Sequence, residues 1–380
     1  MRKLLFITPR NPFSGRFSGD VIRAYKFVNY LEKKYSITIA TLDKINQSKK
    51  VGKINLITFK QYNIFFKLIQ ILLKVLTLKP MQLGYFYSKQ MQMYIENNYS
   101  NFDVIFCQSI RAAQYVDNFY SKAKALDMGD LYSSNYFQTF KLKNFLNPIK
   151  YIYLVESYLI KKYEQNCFKN FDKIYLFSKK EIQLITNFKK KIFQLNFGID
   201  SVNKKFKFNK KNNKIIFIGN IKYLPNKEAC KHFAKNIFPK ILKIDPSLQF
   251  HIIGEISKID KFIFERNKSI IVHGKVKKLD SFIANSFCGL ANLSVSTGIQ
   301  TKILTYMSYG LPCISSENVI KNFDAIKTSY IPYYKNDKEL IELILKLKNN
   351  KKFSEKISKN SLKIIKNFKW DKVLLSLKPD

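Results

Sequence analysis

The sequence predicts an α/β protein of two domains, each with a parallel sheet covered by helices on both faces. The chain has 380 residues, too many for one ordinary core, and its 46% of hydrophobic residues is enough to bury two. Apolar runs of strand length alternate with helical patterns over residues 3–196 and again from residue 214 onward. Between the two series, residues 201–213 are charged and aperiodic, which predicts a linker.

The first series contains seven predicted strands, the first of them buried. The apolar runs are residues 3–8, 37–42, 54–59, 103–108, 123–128, 173–178 and 191–196. Helical patterns lie between them at residues 21–34, 88–97 and 149–170. The last helix carries Glu156 and Glu164, which could act as acid or base. Pairing with some of the many lysines is the more common role for such carboxylates.

A glycine- and serine-rich loop connects the first strand to the first helix. Gly15 and Gly19 would let the backbone approach a ligand, and Arg23 lies one turn inside the helix. Strand, glycine loop and helix form an arrangement that can cradle phosphate. Two glycines alone are weak evidence, because ordinary connectors contain them too.

Residues 61–79 form the most apolar segment of the chain. Lys67 and Lys74 interrupt the run, so the segment predicts an amphipathic helix and not a membrane span. Such a helix either packs in the core or lies at a membrane surface. Because periodic apolar stripes are usually core, the sequence favours packing.

Polar residues follow the fourth and fifth predicted strands, at the sheet edge where open α/β proteins bind ligands. Arg111 follows the fourth strand, and its position favours contact with a ligand over a structural ion pair. Asp127 and Asp130 lie at the end of the fifth. They could form a metal or acid/base pair, but capping or solvation is the more common role of two acids spaced this way.

The second series repeats the alternation of strands and helices. Strands are predicted at residues 214–220, 248–255, 269–274 and 288–293, and helices at 226–243, 279–285, 337–348 and 353–366. Asn226 follows a proline and is expected to cap its helix. His251 and His273 lie in strand patterns, where a satisfied core or sheet-edge histidine is more common than a catalytic base.

Residues 296–316 combine a turn, a helix and a strand. Gly298 lies in the turn, and Gly310 can end the helix in the left-handed conformation. Lys302, Thr305 and Tyr309 share one face of this helix, which the sequence predicts to be polar. An ammonium close to free helix N–H groups suits a phosphate.

The net charge of +40 favours an anionic partner, which could be a phosphate ligand, an acidic membrane surface or nucleic acid. Five cysteines are scattered singly, with no spacing typical of a zinc site. Reduced thiols in a core, and therefore a cytoplasmic protein, are expected. The apolar run at the N-terminus is too short for a signal peptide.

Nine pieces of the chain, in order, resemble the family-four glycosyltransferases of bacterial surface-polysaccharide synthesis. They are FITPRNPFSGRFSGDVIRAY, the strand preceding Arg111, LDMGDLYSSNY, the Glu164 helix ending in FDKIYLFS, NFGID, FIGNIKYLPNKEA, IIVHGKV, GIQTKILTYMSYGLPCISS and FKW. The family has the GT-B fold, two Rossmann-like doubly wound domains facing across a cleft. The resemblance implies domains at 1–200 for the acceptor and 214–360 for the nucleotide sugar, a linker at 201–213, and a C-terminal helix at 361–380 returning to the first domain.

The resemblance also implies site residues. Lys302, Lys222 and Arg111 would be catalytic, and no residue would bind a metal. The donor would contact Gly15, Gly19, Asn220, Asn226, Thr297, Gly298, Ile299, Gln300, Thr301 and Thr305. Many relatives have a carboxylate where Thr305 and Thr297 stand, and the downstream one grips the ribose hydroxyls. A threonine offers a shorter, uncharged hydrogen bond.

The expected function is retaining transfer of a sugar from a nucleoside-diphosphate sugar to a lipid-linked or polysaccharide acceptor. No metal or other cofactor is expected, and the protein would lie on the anionic inner face of the cell membrane without binding nucleic acid. Thr305 keeps open a relative that binds sugar nucleotides without catalysis. The net charge keeps open a polyanion-binding protein, although the lysines are spread over the whole chain.

Overall fold

A computed structural model describes the chain except for residues 16–17, 118–121, 143, 204, 277, 295–299, 322 and 324–329. The chain divides into two compact units. The first contains Met1–Phe197 and Val373–Asp380, and the second contains Gly198–Lys372. Residues 201–213, expected as a linker, therefore lie within the second unit, as does the part of the C-terminal segment before Val373.

The first unit is built on an eight-stranded sheet in the order β3-β4-β2-β1-β5-β6-β7-β8. All neighbours pair in parallel except β3, which pairs antiparallel with β4. The central strands β1 and β5 are almost wholly apolar and buried, because helices cover both faces of a parallel sheet. The strands are β1 (Arg2–Thr8), β2 (Tyr35–Asp43), β3 (Gln47–Val51), β4 (Ile54–Lys60), β5 (Val104–Gln108), β6 (Ala123–Gly129), β7 (Lys173–Leu176) and β8 (Ile192–Gln194).

The helices of this unit connect the parallel strands. They are α1 (Gly19–Leu31), α2 (Ile64–Leu76), α3 (Met81–Tyr85), α4 (Lys89–Asn98), α5 (Ile110–Ala113), α6 (Tyr132–Leu142), α7 (Ile149–Asn170) and α8 (Lys179–Gln183). The predicted bounds of α7 are confirmed at both ends. The prediction that the helix within residues 61–79 packs in the core is wrong, because most apolar side chains of α2 are exposed.

The second unit is built on a six-stranded parallel sheet in the order β11-β10-β9-β12-β13-β14. The first strand in sequence lies in the middle, and the order reverses beside it, between β9 and β12. This reversal is the point where doubly wound sheets open a crevice for a ligand. The strands are β9 (Lys214–Ile218), β10 (Gln249–Ile253), β11 (Ile270–Gly274), β12 (Ser286–Ala291), β13 (Cys313–Ser316) and β14 (Tyr333–Tyr334).

The helices of the second unit include one interruption that the sequence analysis does not predict. Residues 226–243 were expected as one helix, but a π-helical turn at Phe233–Ile237 separates α9 from α10. Pro239 lies just after this turn and has no N–H to continue an α-helical ladder. The helices are α9 (Leu224–His232), α10 (Phe238–Ile244), α11 (Lys258–Glu265), α12 (Asp280–Ala284), α13 (Thr301–Tyr309), α14 (Glu317–Ile320), α15 (Asp337–Asn349), α16 (Lys351–Ile364) and α17 (Trp370–Leu374).

The predicted α/β class with two doubly wound parallel sheets is thus confirmed. All five cysteines are buried and free, as expected of thiols in a core. The sequence analysis misses the helices α6 and α11. The other elements that it misses are short, such as α3, α5, α8 and β14. Segments of this length show too few periods for their pattern to be recognised.

Candidate functional site

Lys302 lies in the first turn of α13, and its side chain is buried. Its ammonium donates a hydrogen bond to Asn226 Oδ1 at 2.6 Å and lies 4.0 Å from the centroid of the Phe217 ring. Among the described residues, no carboxylate forms an ion pair with it. Burial lowers the pKa of Lys302 to about 7. A buried cation without a counter-ion, close to the N-terminus of a helix, is suited to bind an anion.

Asn226 connects Lys302 to the loop after β9. Its Nδ2 donates to the carbonyl of Asn220 at 2.8 Å, and Asn220 Oδ1 accepts the N–H of Lys222 at 3.0 Å. The structure therefore brings together Asn220, Asn226 and Lys302 of the predicted site. The expected N-cap role of Asn226 is wrong, because Tyr223 is the N-cap of α9 and Asn226 lies inside the helix.

The loop after β9 also approaches the loop after β10 closely. Gly254 has a φ of +142°, and a β-carbon on it would lie 1.8 Å from the carbonyl oxygen of Gly219. A β-carbon on Gly219 would in turn lie 3.0 Å from Asn226 Nδ2. Only glycines permit this approach. The two glycines thereby allow the loop that carries Asn220 to reach the side chain of Asn226.

Tyr306 anchors α13 to the sheet, and the sequence analysis misses it. Its hydroxyl accepts the N–H of Ile218 at 2.9 Å and lies 3.3 Å and 3.2 Å from the carbonyls of Ile216 and Leu290. The ring lies against Gly289 of β12, where a β-carbon would be 2.7 Å away. A tyrosine one helical turn after Lys302, with a glycine in the preceding strand, is the only signal of this contact in the sequence.

The prediction that Lys302, Thr305 and Tyr309 form a polar face of α13 is wrong for two of the three residues. Lys302 and Tyr309 are buried, and only Thr305 is partly exposed. The reason is that Lys302 packs against Asn226 and Phe217, while the Tyr309 side chain forms a hydrogen bond with Asp280. Thr305 Oγ1 donates to the carbonyl of Thr301 at 3.0 Å, within its own helix. Gly310 ends α13 with a φ of +69°, as predicted, and the N–H of Leu311 donates back to Tyr306.

Lys222, a predicted catalytic residue, forms an exposed ion pair. Its ammonium lies 2.8 Å from Glu255 Oε1, and both side chains are about half exposed. Exposed pairs of this kind contribute only about 0–1 kcal/mol, so an anionic ligand could replace the carboxylate. Thr301 is exposed and Gln300 partly so, at the start of α13. Thr297, Gly298 and Ile299 lie outside the described residues.

The residues predicted around the glycine loop of the first unit differ in their surroundings. Gly15 is exposed, has a φ of +68° and leaves open space where a β-carbon would lie. Gly19 is the first residue of α1. Arg23 does not face a phosphate site, because it is buried and forms two hydrogen bonds of 2.7 Å with Asp127. The expectation that Asp127 caps a helix or is solvated is therefore wrong, since it is half of a buried ion pair.

Arg111, the third predicted catalytic residue, lies in the first unit. Its Nε donates to Gln82 Oε1 at 2.8 Å, and its guanidinium lies over the rings of Phe86 and Tyr132. It lines a cavity of about 380 Å³ together with Glu156. No ion pair of Arg111 is seen in the described part of the chain.

In the described part of the chain neither Glu156 nor Glu164 forms an ion pair with a lysine, which contradicts that expectation. Glu156 accepts the backbone N–H groups of Met81 and Gln82 at the start of α3. Glu164 accepts the N–H and the hydroxyl of Ser133, and burial raises its pKa to about 7.

Two further pairs of residues bear on acid/base chemistry. Burial raises the pKa of Asp130 and of Glu181, which interact with each other. His251 Nδ1 lies 2.8 Å from His273 Nε2, and burial lowers the pKa of both rings. The two histidines are satisfied in neighbouring strands, in agreement with their expected structural role. In the part of the chain that is described, no group of three or more His, Cys, Asp or Glu residues could hold a metal ion.

One comparison with known protein families matches most of the second unit. Residues 212–350 match the sequence profile of the family described as "Glycosyl transferases group 1". No curated protein sequence matches the chain significantly.

Solved structures match nearly the whole chain. Sucrose-phosphate synthase from Thermosynechococcus elongatus superimposes with a TM-score of 0.72 and 10% identity, over 98% of this chain and 97% of that one. HepE of Anabaena in complex with UDP and glucose has a TM-score of 0.67 and 10% identity, over 99% and 100%. The α,α-trehalose-phosphate synthase (UDP-forming) of Burkholderia vietnamiensis has a TM-score of 0.63 and 9% identity, over 98% and 97%. The fold is therefore GT-B, as predicted.

Proposed function

We propose that this protein is a retaining glycosyltransferase that moves a sugar from a nucleoside-diphosphate sugar to a lipid-linked or polysaccharide acceptor in cell-surface glycan synthesis. The observation that carries the proposal is the buried ammonium of Lys302, whose partner is an amide oxygen and which pairs with no carboxylate of the described residues. The GT-B fold and the family match of residues 212–350 support it.

The chemistry of the leaving group explains why such a cation is useful. As the bond between sugar and phosphate breaks, negative charge grows on the diphosphate. A preorganised cation and helix N–H groups stabilise that charge more in the transition state than in the ground state, which lowers the barrier. In this proposal Lys302 and the N-terminus of α13 bind the diphosphate, and no metal or cofactor is needed.

The other predicted residues take supporting roles in the proposal. Asn220 and Asn226 hold Lys302 in place, Lys222 exchanges Glu255 for a donor phosphate, and Arg111 contacts the acceptor. The incoming hydroxyl attacks from the face that the diphosphate leaves, so that the departing phosphate takes its proton. This geometry retains the anomeric configuration and needs no separate base.

Calorimetric titration with UDP-, GDP- and ADP-sugars tests the proposal. UDP-sugars come first, because similar structures hold UDP or UDP-glucose. We expect saturable binding of one donor, followed by release of the nucleoside diphosphate when an acceptor fraction is added. If none of the donors binds at millimolar concentration, the proposal is wrong. The anomeric configuration of the product, read by NMR, tests retention separately.

A second candidate is a sugar-nucleotide-binding protein without catalysis, and the bond from Thr305 to its own helix favours it. A hydroxyl that donates to Thr301 does not donate to a ribose at the same time. The substitution Thr305→Glu distinguishes the two. Measurable transfer by the native chain rules out the second candidate. The second candidate is supported if the native chain binds the donor without turnover and the Thr305→Glu variant shows turnover.

A further inference from the structure

Helix α2 has its polar side inward and its apolar side outward. Its inward stripe is Lys67, Gln70, Ile71, Lys74 and Val75, spaced three and four residues apart. The outward residues are all large and apolar, and each is more than a third exposed: Ile64, Phe65, Phe66, Leu68, Ile69, Leu72, Leu73 and Leu76. This is the reverse of what a surface helix in water shows.

Specific contacts fix this orientation. The Lys67 ammonium lies 4.2 Å from the centroid of the Tyr85 ring, and that of Lys74 lies 4.7 Å from the centroid of the Tyr87 ring. Gly84 lies so close to α2 that a β-carbon on it would be 2.5 Å from the carbonyl oxygen of Gln70. A rotation of the helix would break all three contacts, so the apolar side is held outward.

A second segment exposes apolar side chains in the same way. It comprises the loop before α7 and the first three turns of that helix, and its exposed residues are Phe145, Leu146, Ile149, Tyr151, Ile152, Leu154, Val155 and Tyr158. Glu156 is the one acid in this segment, and it faces inward to bind the start of α3. The outward side of the segment is therefore apolar and carries no negative charge.

The two segments meet. Ile71 of α2 and Ile149 and Ile152 of α7 line the same cavity of about 380 Å³. We call the outward residues of α2 and the exposed residues of the α7 segment together the apolar surface. Together they form an exposed apolar area of the first unit that is too large to be an ordinary scatter of exposed hydrophobic residues.

The charged residues in the two stretches of chain that carry the apolar surface are nearly all lysines, although Lys79 lies 3.8 Å from Asp117. Residues 44–95 contain nine lysines and no acidic residue, and residues 131–155 contain three lysines and none. A second copy of this chain would bring like charges together at this surface. An anionic bilayer offers an apolar interior for the side chains and negative head groups for the lysines. No helix among the described residues is both long and apolar enough to cross a membrane.

We propose that the apolar surface inserts into the head-group region of an anionic membrane, with α2 lying in the plane of the bilayer. The lysines at its margins contact lipid phosphates, while Lys67 and Lys74 hold the helix on the protein. The inference does not rest on sugar transfer, because the surface lies apart from the Lys302 site in sequence and in domain unit.

Co-sedimentation with vesicles tests the proposal on the full chain. Native protein should bind vesicles of phosphatidylglycerol and phosphatidylcholine more strongly than vesicles of phosphatidylcholine alone. Leu68→Glu with Leu72→Glu should lower binding to the anionic vesicles by about tenfold or more, since it places charge in the inserted face. The matched control is Ile259→Glu with Phe262→Glu on α11, which adds the same charge in the other unit and removes apolar side chains that are more exposed than Leu68 and Leu72.

Depth of insertion gives a second measurement. The single native tryptophan, Trp370, is buried, so a tryptophan added by Leu72→Trp reports on its own surroundings against a constant background. Its emission should shift to the blue on vesicle binding. The proposal is overturned if the α2 and α11 variants bind equally, if the native chain does not bind anionic vesicles, or if it sediments as a dimer that the α2 variant dissociates. An unchanged circular-dichroism spectrum and thermal unfolding midpoint show that the α2 variant is folded, and because this control does not use the donor, the result stays separate from the proposed function.

Discussion

The amide oxygen of Asn226 lies 2.6 Å from the ammonium of Lys302, although the two residues are 76 positions apart in the sequence. The amide satisfies a hydrogen bond without cancelling the charge. Burying a cation without a counter-ion costs stability, and a ligand with negative charge recovers that cost on binding.

Replacing the ammonium should separate its role in binding from its role in folding. Lys302→Met should weaken donor binding roughly 10- to 150-fold, because a hydrogen bond to a charged group contributes about 1.5–3 kcal/mol. Calorimetry measures the affinity. The control is Lys348→Met, which removes another buried lysine of the same unit, one that donates to the carbonyls of Lys210 and Asn212. Equal losses of affinity in the two variants would contradict a direct role for Lys302.

Donor binding should weaken as pH rises from 7 to 9. The pKa of Lys302 in the folded protein is about 7, so the side chain becomes neutral over this range and must take up a proton to bind an anion. A nucleoside-diphosphate sugar has no phosphate proton to lose here. Calorimetry in buffers of different ionisation enthalpy should detect proton uptake that grows above pH 7, and Lys302→Met should lack it. If the affinity stays constant across this range, the pKa of Lys302 is not lowered to about 7 by burial.

The buried carboxyl of Glu164 should make stability fall as pH rises from about 4.5 to 7. Burial raises the pKa of this group from 4.5 to about 7, so the folded state holds the proton more tightly than the unfolded state does. The contribution is complete below pH 4.5 and lost above 7, on the order of 2–3 kcal/mol. Urea unfolding of Glu164→Gln at pH 5 and pH 8 should lack this change. Glu228→Gln, at an exposed position, should keep the native profile.

The contact between Gly254 and Gly219 should tolerate no side chain. Gly254→Ala places a β-carbon 1.8 Å from a backbone oxygen and should cost more than about 3 kcal/mol of unfolding free energy. Gly274→Ala is the control. Gly274 also has a positive φ, +67°, but open space where the β-carbon would lie, so strain alone should cost about 1 kcal/mol. Thermal unfolding compares the two, and similar midpoints would mean that the loops can separate without loss.

The sequence could predict the fold because long buried strands have a clear pattern. The strands β1 and β5 are nearly continuous apolar runs, and α7 has six turns of regular periodicity. Short elements and an edge strand such as β3 show no comparable signal. The orientation of α2 could not be predicted either, because a stripe of apolar residues does not indicate which side of the helix packs against the protein.

The site was predictable in part. Lys302 and Asn226 follow from the resemblance and from helix position, but their contact depends on how α9 and α13 pack on the sheet. The pairing of Arg23 with Asp127 could not be predicted, because a buried ion pair and two solvated charges look alike in a sequence. Tyr306 was missed because its backbone partners lie in two strands, at separations of 88, 90 and 16 positions in the sequence.

Strand β3 closes one edge of the eight-stranded sheet. It is antiparallel to β4, only five residues long, and carries Lys49 and Lys50 with almost every side chain exposed. An uncovered apolar edge would be a template for strands of other molecules. The cationic strand repels such additions, so a chain with a large exposed apolar surface nearby is protected from growing into ordered aggregates through its sheet.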